Sequence, residues 1–162
     1  RSTYPLIPEL WRQGNSVLDA IMNNQSTPFG NGCVAVHGTD GILMPNGLYQ
    51  RYPNLRKESN DEGRDQFVYD ARRGVNKIYG GKLVENICQG LARCIIGEQM
   101  IKIAQRYRVV LTVHDAVACI ARKEEAQEAQ AFVEECMRWV PEWATGLPLN
   151  CEAGYGDSYG DC

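Results

Sequence analysis

Hydrophobic and polar positions change period several times along the chain, and the changes mark out its elements. Over residues 4–23 the apolar positions Leu6, Leu10, Val17, Leu18 and Ile21, with Trp11, recur at helical spacing. Pro5 and Pro8 suit a first turn, where a missing N–H costs nothing, and Asn23-Asn24 followed by Ser26-Thr27-Pro28 ends the pattern. Gly30–Gly32 reads as loop. Short strands are expected at Cys33–His37, Ile42–Met44 and Leu48–Tyr52, separated by turns at Gly38–Gly41 and Pro45-Asn46-Gly47. Residues 53–66, PNLRKESNDEGRDQ, are polar and glycine-punctuated; they read as a surface loop and a boundary between two lobes. Residues 67–80 mix aromatic and basic side chains. Gly80-Gly81 then opens a long helix, 82–106, whose apolar positions Leu83, Ile87, Leu91 and Ile95 face a polar set, Asn86, Gln89, Arg93 and Lys102. A glycine pair at a helix start lets another backbone approach, from protein or nucleic acid. Lys82 opposes the helix dipole there, which a nearby anion would explain.

Two β-branched runs, Val109–Val113 and Val117–Ala121, flank His114-Asp115 and predict a β-hairpin. A further helix is expected over Glu124–Val140, its first turn carrying glutamates, with Pro141 as the stop. Leu147–Gly156 alternates like a last strand before the tail Asp157–Cys162. The order implies an α+β fold: an antiparallel sheet, hairpin 108–121 plus strand 147–156, packed on helices 82–106 and 124–140. No internal repeat or low-complexity segment is present.

Composition narrows the class. A chain of 162 residues suffices for one domain or for pieces of two. No apolar run reaches the roughly 18 residues of a membrane span. The start, RSTYPLIPEL, lacks an initiator Met and an apolar signal core, as expected of a fragment or processed chain. Seven cysteines form no C-x-x-C pair, so reduced, buried thiols are expected; with two histidines, His37 and His114, a structural zinc site is not. Net charge is −3 but uneven: residues 72–108 hold eight basic and two acidic side chains, residues 122–162 three basic and nine acidic. A basic middle fits a face presented to a polyanion, or equally an ordinary solvated helix face.

The hairpin carries the candidate chemistry. Two-residue connections favour Asn-Gly or Asp-Gly; this one has an ionisable pair and no glycine. Either Asp115 binds a divalent metal with His114 touching substrate beside it, or Asp115 makes an Asx-type turn and His114 is solvated.

The apolar-flanked V-H-D of 113–115 resembles motif C of the family A DNA polymerases, the bacterial polymerase I and phage replicase group. Other segments resemble that family in order. RSTYPLIPELW is similar to the fingers helix after the nucleotide-binding helix, ILMPNGLYQRYPNLR to the fingers hairpin, YGGKLVENICQG to the palm helix before motif C, and LPLNCEAGYGDSYGDC to a phage-type C-terminus. The resemblance implies residues 1–66 as the C-terminal part of the fingers and 67–162 as palm. It implies template-directed nucleotidyl transfer by two Mg²⁺ ions, one held in part by Asp115, with primer-template DNA and dNTP as partners in a bacterial or virus-infected cytoplasm. His114 would contact the primer terminus, Gln89 would read the minor-groove edge, and Lys82, Asn86 and Arg93 would contact DNA. Three departures stand out. Asn86 lies three residues before Gln89, where bacterial relatives place it four before, a position held here by Glu85. Ala116 replaces the glutamate that many members carry after H-D. Motif A, with the second aspartate, and the nucleotide-binding helix are absent. The chain alone is therefore expected to be inactive, requiring an N-terminal polymerase portion as a separate chain or as the rest of one protein. The alternative is a non-catalytic DNA-binding or fold-completing subunit of a split protein.

Overall fold

A computed structural model describes residues 4–30 and 32–162. The chain divides into two compact units, one through Leu91 and one from Ala92. The class is α+β, with three α-helices and three antiparallel sheets among the described residues.

The first unit opens with α1, Leu6–Met22, capped by Pro5. Gly14, Val17, Leu18 and Ile21 are buried at the i, i+3, i+4, i+7 spacing of one helix face. The expected apolar stripe is displaced toward its C-terminal half, because Leu6 and Trp11 stand exposed. The end is a Schellman motif. Asn24 takes φ 56°, Gln25 N–H donates to Ala20 O at 2.8 Å, and Asn24 N–H donates to Ile21 O at 3.2 Å.

Four short strands follow in a meander: β1 Thr27–Phe29, β2 Val34–His37, β3 Gly41–Leu43 and β4 Tyr49–Gln50, each paired antiparallel with the next. β1 was not expected, because Ser26-Thr27-Pro28 reads as punctuation; Pro28 is tolerated on this edge strand, where no ladder donor is needed.

The polar stretch 53–66 is not a loop. It supplies β5, Arg56–Ser59, and enters β6, Asp65–Ala71, which pairs with β7, Gly74–Ile78. Residues 66 and 67 both lie inside β6. Cross-strand polar pairs replace the missing apolar alternation. Arg56 meets Asp70 at 2.9 Å, Ser59 Oγ donates to Asp65 Oδ1 at 3.1 Å, and Lys57 Nζ sits 4.9 Å from the Phe67 ring centre. Only the connection is irregular, closed by Asn60 Oδ1 accepting from the Glu62 and Arg64 N–H groups.

α2, Gly80–Ala104, is one continuous helix. Its start answers the question posed by the glycine pair: the approaching backbone is that of α1. A Cβ on Gly80 would overlap Trp11 O, one on Gly14 would stand 2.6 Å from Gly80 O, and Gly80 N–H donates to Asn15 Oδ1 at 2.7 Å.

The second unit contains the rest of α2, the hairpin of β8 Arg108–Val113 and β9 Ala116–Ile120, and α3, Ala126–Arg138. Ile103, Tyr107, Ala129 and Cys136 form its buried cluster, against which Val109, Val117, Cys119 and Phe132 pack. Gln99, 1% exposed, donates to Met137 O at 2.7 Å and to Trp139 O at 3.0 Å, so a buried amide satisfies carbonyls at the end of α3. Residues 147–156 form no strand, contrary to expectation. Their alternation is real, since Leu149, Cys151 and Ala153 are half-buried, but their backbone meets α3 side chains instead of a sheet. Gln130 Nε2 donates to Ala153 O at 2.7 Å and Arg138 Nη2 to Cys151 O at 3.2 Å.

Gly80→Ala is expected to destabilise the protein by about 3 kcal/mol and lower Tm by roughly 10 °C. Gly81→Ala should cost under about 1.5 kcal/mol, because its new methyl meets ring edges, Tyr79 Cε2 at 3.1 Å, that can move aside. Thermal melts of the two variants check the difference.

Candidate functional site

The β8–β9 register is Val113↔Ala116, so His114 and Asp115 alone form the connection. His114 takes φ 54° and, among the described residues, is the only positive-φ position outside glycine and asparagine. Such a backbone costs about 1–3 kcal/mol and is held by its surroundings. Here the surroundings are the buried cluster beneath both strands. His114 and Asp115 are exposed, and among the described residues the Asp115 carboxylate takes no hydrogen bond or ion pair. The Asx-turn reading therefore finds no bond to support it.

A bulge sets which faces the strands present. Val109 pairs with Cys119 and Leu111 with Ala118, leaving Val110 unpaired. The extra residue inverts the alternation beyond it. Val109 and Thr112 turn toward the helices, and Leu111 and Val113 join Ile120 on an outer face that is apolar and exposed. Each strand has one partner, so both outer edges are unpaired among the described residues.

Four other candidates lie on α2. Lys82, Asn86, Gln89 and Arg93 follow one another at three- and four-residue steps, the spacing of a single helix face. Glu85 is the anion that the position of Lys82 called for. It takes Lys82 Nζ at 2.8 Å and Gln89 Nε2 at 3.3 Å, and it raises the lysine pKa. These are solvent-exposed contacts, so both side chains can exchange partners readily. Asn86 is differently placed: its Nδ2 donates to Tyr52 OH at 3.2 Å, and the Tyr52 ring packs edge-on to Tyr69. Arg93 is exposed at the opening of the second unit. Tyr52 escapes sequence reading because Asn86 is 34 residues away; the signal was an aromatic closing the expected strand Leu48–Tyr52.

No group of three or more His, Cys, Asp or Glu side chains able to hold a metal occurs among the described residues. One carboxylate gives at most two of the six oxygens Mg²⁺ requires, so this chain's residues do not by themselves fit a magnesium site.

Over 127 residues the chain is 31% identical to a DNA polymerase of Bacillus phage SP02. The match takes in 73% of this chain and 19% of that polymerase, so the chain spans about a fifth of the length of the curated relative it matches. No family model matches the chain, and no solved structure does. No helix among the described residues is long and apolar enough to cross a membrane.

Two outcomes follow from the geometry. Burial pushes the Tyr52 phenol up to about 12 from its ordinary 10.0, with the Asn86 hydrogen bond opposing. The unfolded chain releases this proton near pH 10 and the folded chain near 12, so its contribution is intact below pH 10 and is lost between 10 and 12, by about 2–3 kcal/mol. Tyr52→Phe should cost about 1 kcal/mol at neutral pH and flatten that alkaline decline in denaturant titrations. His114→Gly, freed of the left-handed penalty, should raise stability by up to about 1 kcal/mol in the same assay.

Proposed function

We propose that the chain is the C-terminal portion of a phage-type family A DNA polymerase, comprising part of the fingers and most of the palm, and that it contributes to template-directed nucleotidyl transfer. The observation that carries this reading is the exposed, unpaired carboxylate of Asp115 on a two-residue turn whose other member, His114, is held in a costly backbone conformation. Similarity to the phage SP02 polymerase supports it. Asp115 supplies one carboxylate to a magnesium site completed by an aspartate outside these residues; His114 lies against the primer terminus. Gln89 reads the minor-groove edge, where acceptors common to all base pairs report geometry without sequence. Lys82 and Arg93 contact the DNA backbone. Asn86 acts through Tyr52, holding the helix against the segment that follows β4. The apolar outer face of the hairpin, with Leu111, Val113 and Ile120, receives the remainder of the polymerase.

A second reading draws on that same face. A chain whose role is to complete a partner's fold, without chemistry, would also present exposed apolar residues beside open strand edges.

Asp115→Asn separates them. In the polymerase reconstituted with its N-terminal portion, primer extension is expected to fall about 10³-fold, the equivalent of several kcal/mol of metal-mediated stabilisation, while primer-template affinity stays within a factor of about two. The 162 residues alone should extend no primer. Extension unaffected by Asp115→Asn, or extension by this chain in isolation, overturns the catalytic reading.

A further inference from the structure

Outside the positions already discussed, the first unit carries a concentration of unpaired positive charge. From residue 71 to residue 81 the sequence holds Arg72, Arg73 and Lys77 and no acidic residue. Arg72 and Arg73 form the turn between β6 and β7, and Lys77 lies on β7; all three are exposed, and among the described residues none has an ion-pair partner. The one nearby carboxylate on that hairpin, Asp70, lies opposite Val75 and is already engaged by Arg56 Nη1 and Asn54 Nδ2, each at 2.9 Å. In a chain of net charge −3, three free cations on one hairpin are a local feature.

Aromatic surface continues from the same strand. Tyr79 follows β7 directly and is 64% exposed; Trp11 of α1 is 49% exposed. Both rings close on Gly81, for a Cβ there would meet Tyr79 Cε2 at 3.1 Å and Trp11 Cε2 and Nε1 at 3.4 Å. Each ring thus packs one part against the start of α2 and leaves about half or more of its surface to water. At about 3.4 Å per residue, β7 sets this pair roughly 20 Å from the arginine turn.

We infer that the β6–β7 hairpin and the Trp11–Tyr79 pair form one binding surface for a single strand of nucleic acid. Arg72, Arg73 and Lys77 follow its phosphates, and the two rings stack its bases at the start of α2. Cations alone would suit any polyanion. Exposed rings beside them favour an occupant with flat π-faces, which a nucleic acid has and an acidic polypeptide lacks. Duplex DNA hides its base faces, so the aromatic pair selects single-stranded substrate. The inference deepens the polymerase reading by adding a contact remote from Asp115 in sequence, and its test does not depend on nucleotide addition.

The experiment is fluorescence anisotropy of a labelled single-stranded dT oligonucleotide with the whole chain over a salt series. Arg72→Ala/Arg73→Ala/Lys77→Ala should reduce the slope of log K against log salt by about 2, at about 0.7 per phosphate contact. Arg72→Lys/Arg73→Lys should retain it. Trp11→Ala and Tyr79→Ala should each weaken binding about tenfold at fixed salt, and Tyr79→Phe, which keeps the ring, less than about twofold. Absence of oligonucleotide binding, an unchanged slope in the triple alanine variant, or polyglutamate binding equally well with the same variant losses overturns the inference. The polymerase reading is judged separately: Asp115→Asn should leave this binding unaltered. Loss of extension in that variant beside an insensitive hairpin would leave the polymerase reading standing and remove this one.

Discussion

A two-residue connection leaves the β8–β9 hairpin no freedom over which side chains stand at its tip. With Val113 opposite Ala116, His114 and Asp115 are placed there by register, and a slip of one residue would turn every other side chain to the wrong face. The register is held from below. Tyr107, Val109, Val117 and Cys119 are anchored in the cluster of α2 and α3 side chains. Each such side chain contributes about 1.5–3 kcal/mol when fully buried, so a few of them outweigh the 1–3 kcal/mol cost of His114's positive φ. The strained turn persists because the strands, and not the turn residues, decide its conformation.

The charged groups sort by whether the chain satisfies them. Lys82 and Gln89 both find Glu85, Arg56 finds Asp70 and Glu58, and Arg106 finds Glu128 and lies over the Tyr107 and Phe132 rings. Asp115 and the three cations of the β6–β7 hairpin find no partner among the described residues. Exposed ion pairs contribute little to folding, so an unpaired charge here is no defect of stability. Its interest is chemical, because it is available to something else.

The helices were legible because their apolar positions keep a 3.6-residue period, and the hairpin because its β-branched runs bracket a polar pair. What escaped was held by less regular means. β5 and the start of β6 are polar sequences paired by Arg56–Asp70 and Ser59–Asp65, which no hydrophobic pattern announces. Residues 147–156 do alternate, yet alternation marks a face and not a ladder, and side chains of α3 meet that backbone. Leu6 and Trp11 fit a helical stripe but lie exposed, the buried face of α1 being set by Gly14. At the candidate site, the placement of His114 and Asp115 followed from the sequence. The bulge at Val110 did not, since nothing in a run of valines fixes where an extra residue is accommodated. Nor did the Asn86–Tyr52 bond, which joins residues 34 apart.

The bulge joins the chemical and the structural readings of the hairpin. Had the alternation continued unbroken, Leu111 and Val113 would have faced the helices, leaving Thr112 outside as an ordinary polar position. The inversion places Leu111 and Val113 beside Ile120, so that three large apolar side chains share one outer face next to the open strand edges. Covering what they still expose would yield about 2–4 kcal/mol of hydrophobic stabilisation before the cost of association. On the polymerase reading, the hairpin is one carboxylate short of a magnesium site and also short of a covering layer. Both deficits then have one remedy, because a single segment packed on that face could bring its own carboxylate to Asp115. A chain serving only to complete a partner's fold would account for the apolar face but would have no use for a bare carboxylate on a strained turn.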